Sequence, residues 1–274
     1  VISAIILILC WIKSALIPSA TIAFCFLLSA FCFLLSASFF LLNSLKTSIF
    51  APHKPSLMTK AFLFDLNGTM INDMEYHLEG WYNMLNKLGA NLSRDVVRSH
   101  MYGKNEELLV RIFGEERFTP QEMQEIAHEK EVLYQEAFRP HLELIAGLPA
   151  FLERAAAAGI PMAIGSAANT FNINYVLDNL HVRRYLGAIV GAYDVTTSKP
   201  DPEVFLKCAA ALGVDPAGCI VFEDAPKGVE AALNAGMKAV VLTTMHTEDE
   251  FASYNNIIAF VADYTDPALQ QLFI

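Results

Sequence analysis

Six side chains in this 274-residue chain are of types that handle phosphoryl groups, and they arrive in four separate segments. Asp65 and Asn67 stand in KAFLFDLNGTMIND, Ser166 ends IPMAIGS, Lys199 lies in SKPDPEVF, and Glu223 with Asp224 lies in VFEDAPKGVEAA. Anionic phosphoryl oxygens require compensating charge. A Mg²⁺ ion takes octahedral oxygen ligands, which Asp65, Asp224 and a backbone carbonyl can supply while water and substrate phosphate fill the rest, with Glu223 acting through a water. Lys199 and the Ser166 hydroxyl are suited to the remaining phosphoryl oxygens, where fixed donors stabilise the transition state. The Asp65 carboxylate is then the nucleophile, and the intermediate an aspartyl-phosphate. Taken singly these residues mean little: a lone lysine is ordinarily solvated, and a lone serine often caps a helix. Their joint placement carries the reading.

That placement depends on the elements between them. Ala61 to Phe64 reads as a buried strand that delivers Asp65. From Leu148 onward, apolar runs alternate with amphipathic helices in the manner of a parallel sheet with crossover helices. Pro149 to Ala158 is a helix stopped by Gly159, IPMAIGS a strand, Asn169 to Leu180 a helix, and GAIVGA a strand. A helix with cap Asp201, Pro202 at its start and Gly213 past its end follows. GCIVFED is the next strand, its helix closes at Gly236, and MKAVVLTT is one more. Ligands of open α/β sheets bind off the carboxyl ends of the strands, where Asp65, Ser166, Lys199 and Asp224 all fall.

Between Met74 and Arg139 the pattern is helical throughout. Met74, Leu78, Trp81, Leu85 and Leu88 form one face, with Asn72 or Asp73 as N-cap and Gly89 as the stop. A short helix covers about Ser93 to Met101, and the chain breaks at Gly103. TPQE (Thr119 to Glu122) is a capping box with Pro120 at the first helical position. The helix it opens, to about Phe138, is expected to bury Met123, Ile126, Leu133 and Ala137.

Composition separates a leader from a body. Residues 1–57 hold no acid, and Ser14 to Leu45 is uncharged. The run is long enough to span a bilayer. Yet Ala23–Ser29 recurs unchanged as Ala30–Ser36, as duplicated upstream DNA would. It reads either as a membrane anchor or as translated upstream sequence, with Met58 the natural start; a chain beginning at Met58 is expected to fold and stay soluble. The body carries 16 basic and 29 acidic residues, a balance that argues against nucleic acid and anionic membrane as partners and for a small phosphorylated substrate. Its two scattered cysteines, Cys208 and Cys219, suggest a reducing compartment and hence the cytoplasm. The body is expected to be monomeric, and to touch a membrane only if the leader is authentic.

On the motifs DLNGT, GS, SKPDPEVF and VFEDAPKGVEAA, in that order on the expected elements, the body from Lys60 to about Thr244 resembles the haloacid dehalogenase superfamily, in the branch with a helical cap that includes β-phosphoglucomutase. The resemblance implies a Rossmann-like parallel-sheet α/β core over residues 58–73 and 140–274 with an all-helical cap inserted over 74–139. It implies Mg²⁺, with the Asn67 carbonyl and Asp224 as ligands beside Asp65. Gly68 and Thr69 of the turn, Ala167 after Ser166, and Lys104 of the cap loop are the expected substrate contacts. His77 matches a histidine of the mutase branch and is a catalytic or hinge candidate, although a structural histidine is equally at home beside an apolar stripe; Trp81 reads as core.

Position 67 departs from the family. Residues i and i+2 of an extended segment point the same way, so 65 and 67 face one phosphate together. The family's phosphatases and mutases place Asp at the second position, where it protonates the leaving oxygen. Asn67 cannot do so. A phosphohydrolase or phosphotransferase is the leading expectation. A sugar-phosphate mutase is disfavoured because the cap loop reads Gly103-Lys104-Asn105-Glu106 where the mutase has an arginine for the far phosphate. A catalytically weak phosphate-binding relative is the alternative from another class.

Overall fold

Every side chain of β1 (Ala61–Phe64) is fully buried, and alternate residues enter opposite layers. Phe62 and Phe64 join one core with Phe151, Leu152, Val176 and Phe222, whereas Ala61 and Leu63 join another with Phe205, Val221, Val229 and Val241. A strand with no polar face must be covered by helices on both sides. The computed structural model describes residues 61–273, so the apolar leader, read as anchor or upstream translation, lies outside the described residues. Among the described residues no helix is long and apolar enough to cross a membrane.

The sheet has six parallel strands: β1, β2 (Met162–Gly165), β3 (Ala188–Val190), β4 (Cys219–Glu223), β5 (Lys238–Leu242) and β6 (Ile257–Val261). Their order is β3-β2-β1-β4-β5-β6. Phe64 pairs with Ile164 on one side and Phe222 on the other. The chain winds outward from β1 through β2 to β3, then from β4 through β5 to β6. The order therefore reverses between β1 and β4, and the crevice between their carboxyl ends is where such sheets bind ligands.

A helical cap is inserted directly after β1. It comprises α1 (Met74–Lys87), α2 (Arg94–His100), α3 (Asn105–Phe113) and α4 (Pro120–Phe138). Leu78, Trp81, Met84 and Leu85 of α1 pack with Val97, Leu108 and Leu109 into a small core of its own. The capping box forms: Thr119 N donates to Glu122 Oε2 at 2.8 Å, and Glu122 N donates to Thr119 Oγ1 at 3.3 Å. The buried face of α4 differs from the expected one. Leu133 and Ala137 are exposed, Met123 and Ile126 only partly covered, while Ala127, Lys130, Glu131, Tyr134, Gln135 and Phe138 are buried. The physical reason is that this helix turns a polar stripe inward, where partners satisfy each group, and hydrophobicity alone does not register that stripe.

The core helices are α5 (Leu148–Ala157), α6 (Thr170–Asn179), α7 (Glu203–Leu212) and α8 (Pro226–Asn234). α7 begins one residue later than expected: Pro202 stands at the N-cap, and Asp201 Oδ1 accepts from Glu203 N at 2.9 Å. β6 is an addition to the sequence expectation. Only one 3₁₀ turn, Glu248–Phe251, lies between β5 and β6, so the strand–helix alternation that marks the other crossovers is missing there.

Candidate active site

At the carboxyl ends of β1 and β4 three acids gather around one lysine. Asp65 N donates to Phe222 O at 2.9 Å, which ties the two strand ends together. Lys199 Nζ lies 2.6 Å from Asp65 Oδ1 and 2.6 Å from Glu223 Oε1. The second Glu223 oxygen accepts from the backbone N–H groups of Asp224 and Ala225, each at 2.9 Å. Glu223 is thus fixed as a bracket between Lys199 and the turn into α8. A Cβ at position 228 would overlap its carboxylate, so only Gly228 leaves room for it.

Asp224 is 3% exposed; Oδ1 accepts from Thr69 Oγ1 at 3.3 Å, and Oδ2 has no hydrogen-bond partner. Gly68 adopts φ +73°, and a Cβ there would overlap Asp224 Oδ2. Both constraints require glycine at this turn.

Three buried carboxylates and one ammonium leave an excess of negative charge. Burial pushes Asp65 up to about 6 from its ordinary 3.8, with Lys199 pulling it down and Glu223 adding to the rise. Burial also pushes Asp224 well above the carboxylate range, helped by Glu223 and Asp65. For Lys199, burial disfavours the charge, but Asp65 and Glu223 outweigh it and raise its pKa.

The linkage sign follows. Between pH 3.8 and about 6 the folded chain holds a proton on Asp65 that the unfolded chain has released, so stability is lost as pH rises through that window. Without divalent ions the full shift is worth about 3 kcal/mol, of which about 2 kcal/mol is lost between pH 4.5 and pH 7. Urea unfolding in chelator at pH 4.5 and pH 7 measures it, and the loss should shrink in Asp65→Asn. Higher stability at pH 7 than at pH 4.5 would contradict the assignment.

Asp224 Oδ2, buried and without a hydrogen-bond partner, and the nearby Asp65 carboxylate are hard oxygens of the type Mg²⁺ takes. Among the described residues no group of three or more His, Cys, Asp or Glu side chains is arranged to hold a metal. An ion here would take two carboxylates and complete its shell with a backbone carbonyl, water and phosphate.

A cavity of about 150 Å³ opens over this cluster. Asp65, Asn67, Ser166, Ala167, Lys199, Glu223 and Asp224 line it from the core, and His77 and Lys104 from the cap. Gly68 and Thr69 do not line it; they shape the Asp224 side of the turn from behind. Ser166 Oγ accepts from Ala168 N at 3.2 Å, leaving its proton to donate elsewhere. Lys104 reaches away: its ammonium donates to Val195 O at 2.7 Å and lies 3.4 Å from Thr196 O. Glu106 and Glu107 are also turned aside, bonded to Tyr193 and Ser198.

Position 67 sits in a polar cradle. Asn67 Nδ2 donates to Asp73 Oδ2 at 2.6 Å and lies 3.0 Å from His77 Nε2. Asp73 stands at the N-cap of α1 without capping it. Its oxygens accept instead from Asn67, Gly68 N and the Tyr134 hydroxyl. The Gly68 N–H is the atom that would attack the Asn67 amide in deamidation, and Asp73 Oδ1 holds it at 3.2 Å. Both His77 nitrogens are engaged, since Nδ1 accepts from Lys130 Nζ at 2.7 Å, and the ring stacks on Tyr134 at 3.8 Å. The imidazole bridges the turn after β1 to α4. Lys130, Glu131, Tyr134 and Asn172 were not singled out from the sequence. The available signal was the spacing 127, 130, 131, 134, 135, 138, which is helical but mostly polar.

The family model for haloacid dehalogenase-like hydrolases matches residues 59–236. β-Phosphoglucomutase from Bacillus subtilis is 34% identical over 188 residues, 66% of this chain and 82% of that protein. Fructose-1-phosphate phosphatase from Escherichia coli is 45% identical over a shorter stretch of 80 residues, 29% of this chain and 43% of that protein. The crystal structure of β-phosphoglucomutase from Clostridium difficile superposes with a TM-score of 0.69 at 25% identity, covering 79% of this chain and 97% of that one.

Proposed function

The chain belongs to the haloacid dehalogenase-like hydrolases, as a phosphatase or phosphomutase, and from that premise we propose that it hydrolyses small sugar or polyol phosphates through an aspartyl-phosphate on Asp65. The observation that carries this reading is the Asp65 carboxylate at the cavity, with the Lys199 ammonium locked 2.6 Å away by Glu223. Asp65 attacks phosphorus, the bond to the ester oxygen breaks, and the phosphoryl group passes to the carboxylate. Lys199 and Ser166 hold phosphoryl oxygens as charge develops on them. Water then attacks the aspartyl-phosphate and releases inorganic phosphate. Asp65, the Asn67 carbonyl and Asp224 would hold Mg²⁺, which when bound neutralises phosphoryl charge.

Asn67 has no proton for the leaving oxygen, so the departing alkoxide takes its proton from water; sugar and polyol phosphates are therefore turned over slowly, and among esters those whose alcohols leave more readily as anions go faster. Hydrolysis is preferred over mutase action because Lys104, the cap lysine at the place of the mutase arginine, is bonded to Val195 O and Thr196 O. Cytoplasmic placement belongs to the same proposal, supported by the buried free thiols of Cys208 and Cys219.

A screen of phosphorylated metabolites and aryl phosphates with and without Mg²⁺ tests the reading. Acid-quenched label on Asp65 and Mg²⁺-dependent turnover are expected. No turnover on any substrate would favour the phosphate-binding alternative. Asp224→Ala is expected to weaken Mg²⁺ by at least about tenfold, since even outer-shell changes weaken metal sites that much. Unchanged Mg²⁺ affinity by calorimetry would remove the proposed site.

A further inference from the structure

The cavity continues from Asp65 under the cap to Glu131, a carboxylate only 3% exposed. Glu131 Oε1 accepts from Asn105 Nδ2 at 2.7 Å and Lys130 Nζ at 3.1 Å, and Oε2 accepts from Asn172 Nδ2 at 2.6 Å. Asn105 belongs to the cap and Asn172 to the core, so both parts hold the group in place. A carboxylate offers about four acceptor positions and three are filled, which leaves one for a ligand hydroxyl. Burial opposes its charge, but Lys130, His77 and the two amides hold Glu131 down at about 2. It is an anion at every physiological pH. Trp81, Met101 and Leu108 form apolar wall nearby.

The cations around this cavity are all engaged. Lys199 serves Asp65 and Glu223, Lys104 serves Val195 O, Lys130 sits between His77 and Glu131, and Lys227 pairs with Glu230 at 3.0 Å. Among the described residues no arginine lines the cavity. A second phosphate reaching the cap end would meet the buried Glu131 carboxylate, whose counter-charge, Lys130, is already committed to it at 3.1 Å, and would find no free cation for its own charge. A site whose cations are all committed, with a carboxylate facing the ligand's far end, rejects the ligand that needs one more positive charge.

We propose that Glu131 is the specificity-determining residue of the site: it accepts a hydroxyl from a neutral polyol tail and excludes a second anionic group. This rests on the reading that Asp65 and Lys199 receive the phosphate. Calorimetric titration of the full chain with Mg²⁺ compares fructose 1-phosphate with fructose 1,6-bisphosphate, and glucose 1-phosphate with its 1,6-bisphosphate. The monophosphates are expected to bind at least about tenfold more tightly, and Glu131→Gln should bring each ratio to within about threefold. Equal or tighter binding of the bisphosphates by the wild-type chain overturns the inference whether or not the variant folds. A ratio that Glu131→Gln leaves intact in folded protein also overturns it. Turnover of p-nitrophenyl phosphate reports separately on the underlying reading. Turnover with no preference between monophosphate and bisphosphate sinks the specificity assignment alone. Preferred monophosphate binding without turnover supports it and sinks the hydrolase reading.

Discussion

Asn67→Asp is expected to raise turnover of alkyl phosphate esters by about 10²-fold or more, with a smaller gain for aryl and acyl phosphates. The geometry gives the reason. The Asn67 amide nitrogen stands 2.6 Å from Asp73 Oδ2, so an aspartate of the same shape sets two carboxyl groups side by side. Two such groups cannot both ionise, and they share a proton. Position 67 would then carry the proton that an alkoxide leaving group needs, whereas a phenolate or carboxylate leaving group needs little help. Mg²⁺ affinity should hardly change, because the proposed ligand at this position is the backbone carbonyl. Mass spectrometry of the peptide containing Asn67 and Gly68 first establishes that the starting protein is not already deamidated. Equal gains on both substrate classes, or none, would mean that Asn67 does not occupy the place of an absent acid.

Lys199→Met should damage both stability and turnover. Lys199 is the one cation held between Asp65 and Glu223, and its side chain is 9% exposed. Its removal leaves buried carboxylates without a counter-charge, which costs about 3–5 kcal/mol when one partner of a buried pair is lost. The same change removes a fixed positive charge from the phosphoryl group, worth about 10²–10³ in turnover. The pH dependence has a definite sign. Lys199 lowers the pKa of Asp65, so without it the acids take up protons more readily, and the deficit should be larger at pH 8 than at pH 5. Urea unfolding in chelator and turnover of an aryl phosphate measure the two effects. A variant as stable as the wild type at pH 8 would show that the acids do not depend on this lysine.

The chemistry-bearing residues were legible because they sit where local rules place them. Asp65, Ser166, Glu223 and Asp224 each follow or end a short apolar run, and a parallel sheet brings all such ends to one edge. The capping box at Thr119 and the apolar face of α1 were legible for a similar reason, since each is a pattern within one or two turns of chain. β6 was not, because its connection to β5 holds a single 3₁₀ turn instead of a crossover helix.

What tertiary structure alone decided is the fate of polar groups. Asp73 has the type and position of a helix cap, yet its carboxylate serves Asn67, Gly68 and Tyr134 instead. Lys104 looked available to a ligand but found backbone carbonyls 91 and 92 residues away. Lys130 and Glu131, which no sequence pattern singles out, are buried against His77 and Asn172. Hydrophobic burial follows residue type where one face is apolar, as on α1, and a single sequence carries it there, but not on α4, whose inward stripe is mostly polar. A buried polar group is tolerated only where donors and acceptors from other segments meet it, and those partners are chosen by the packing of the cap on the core.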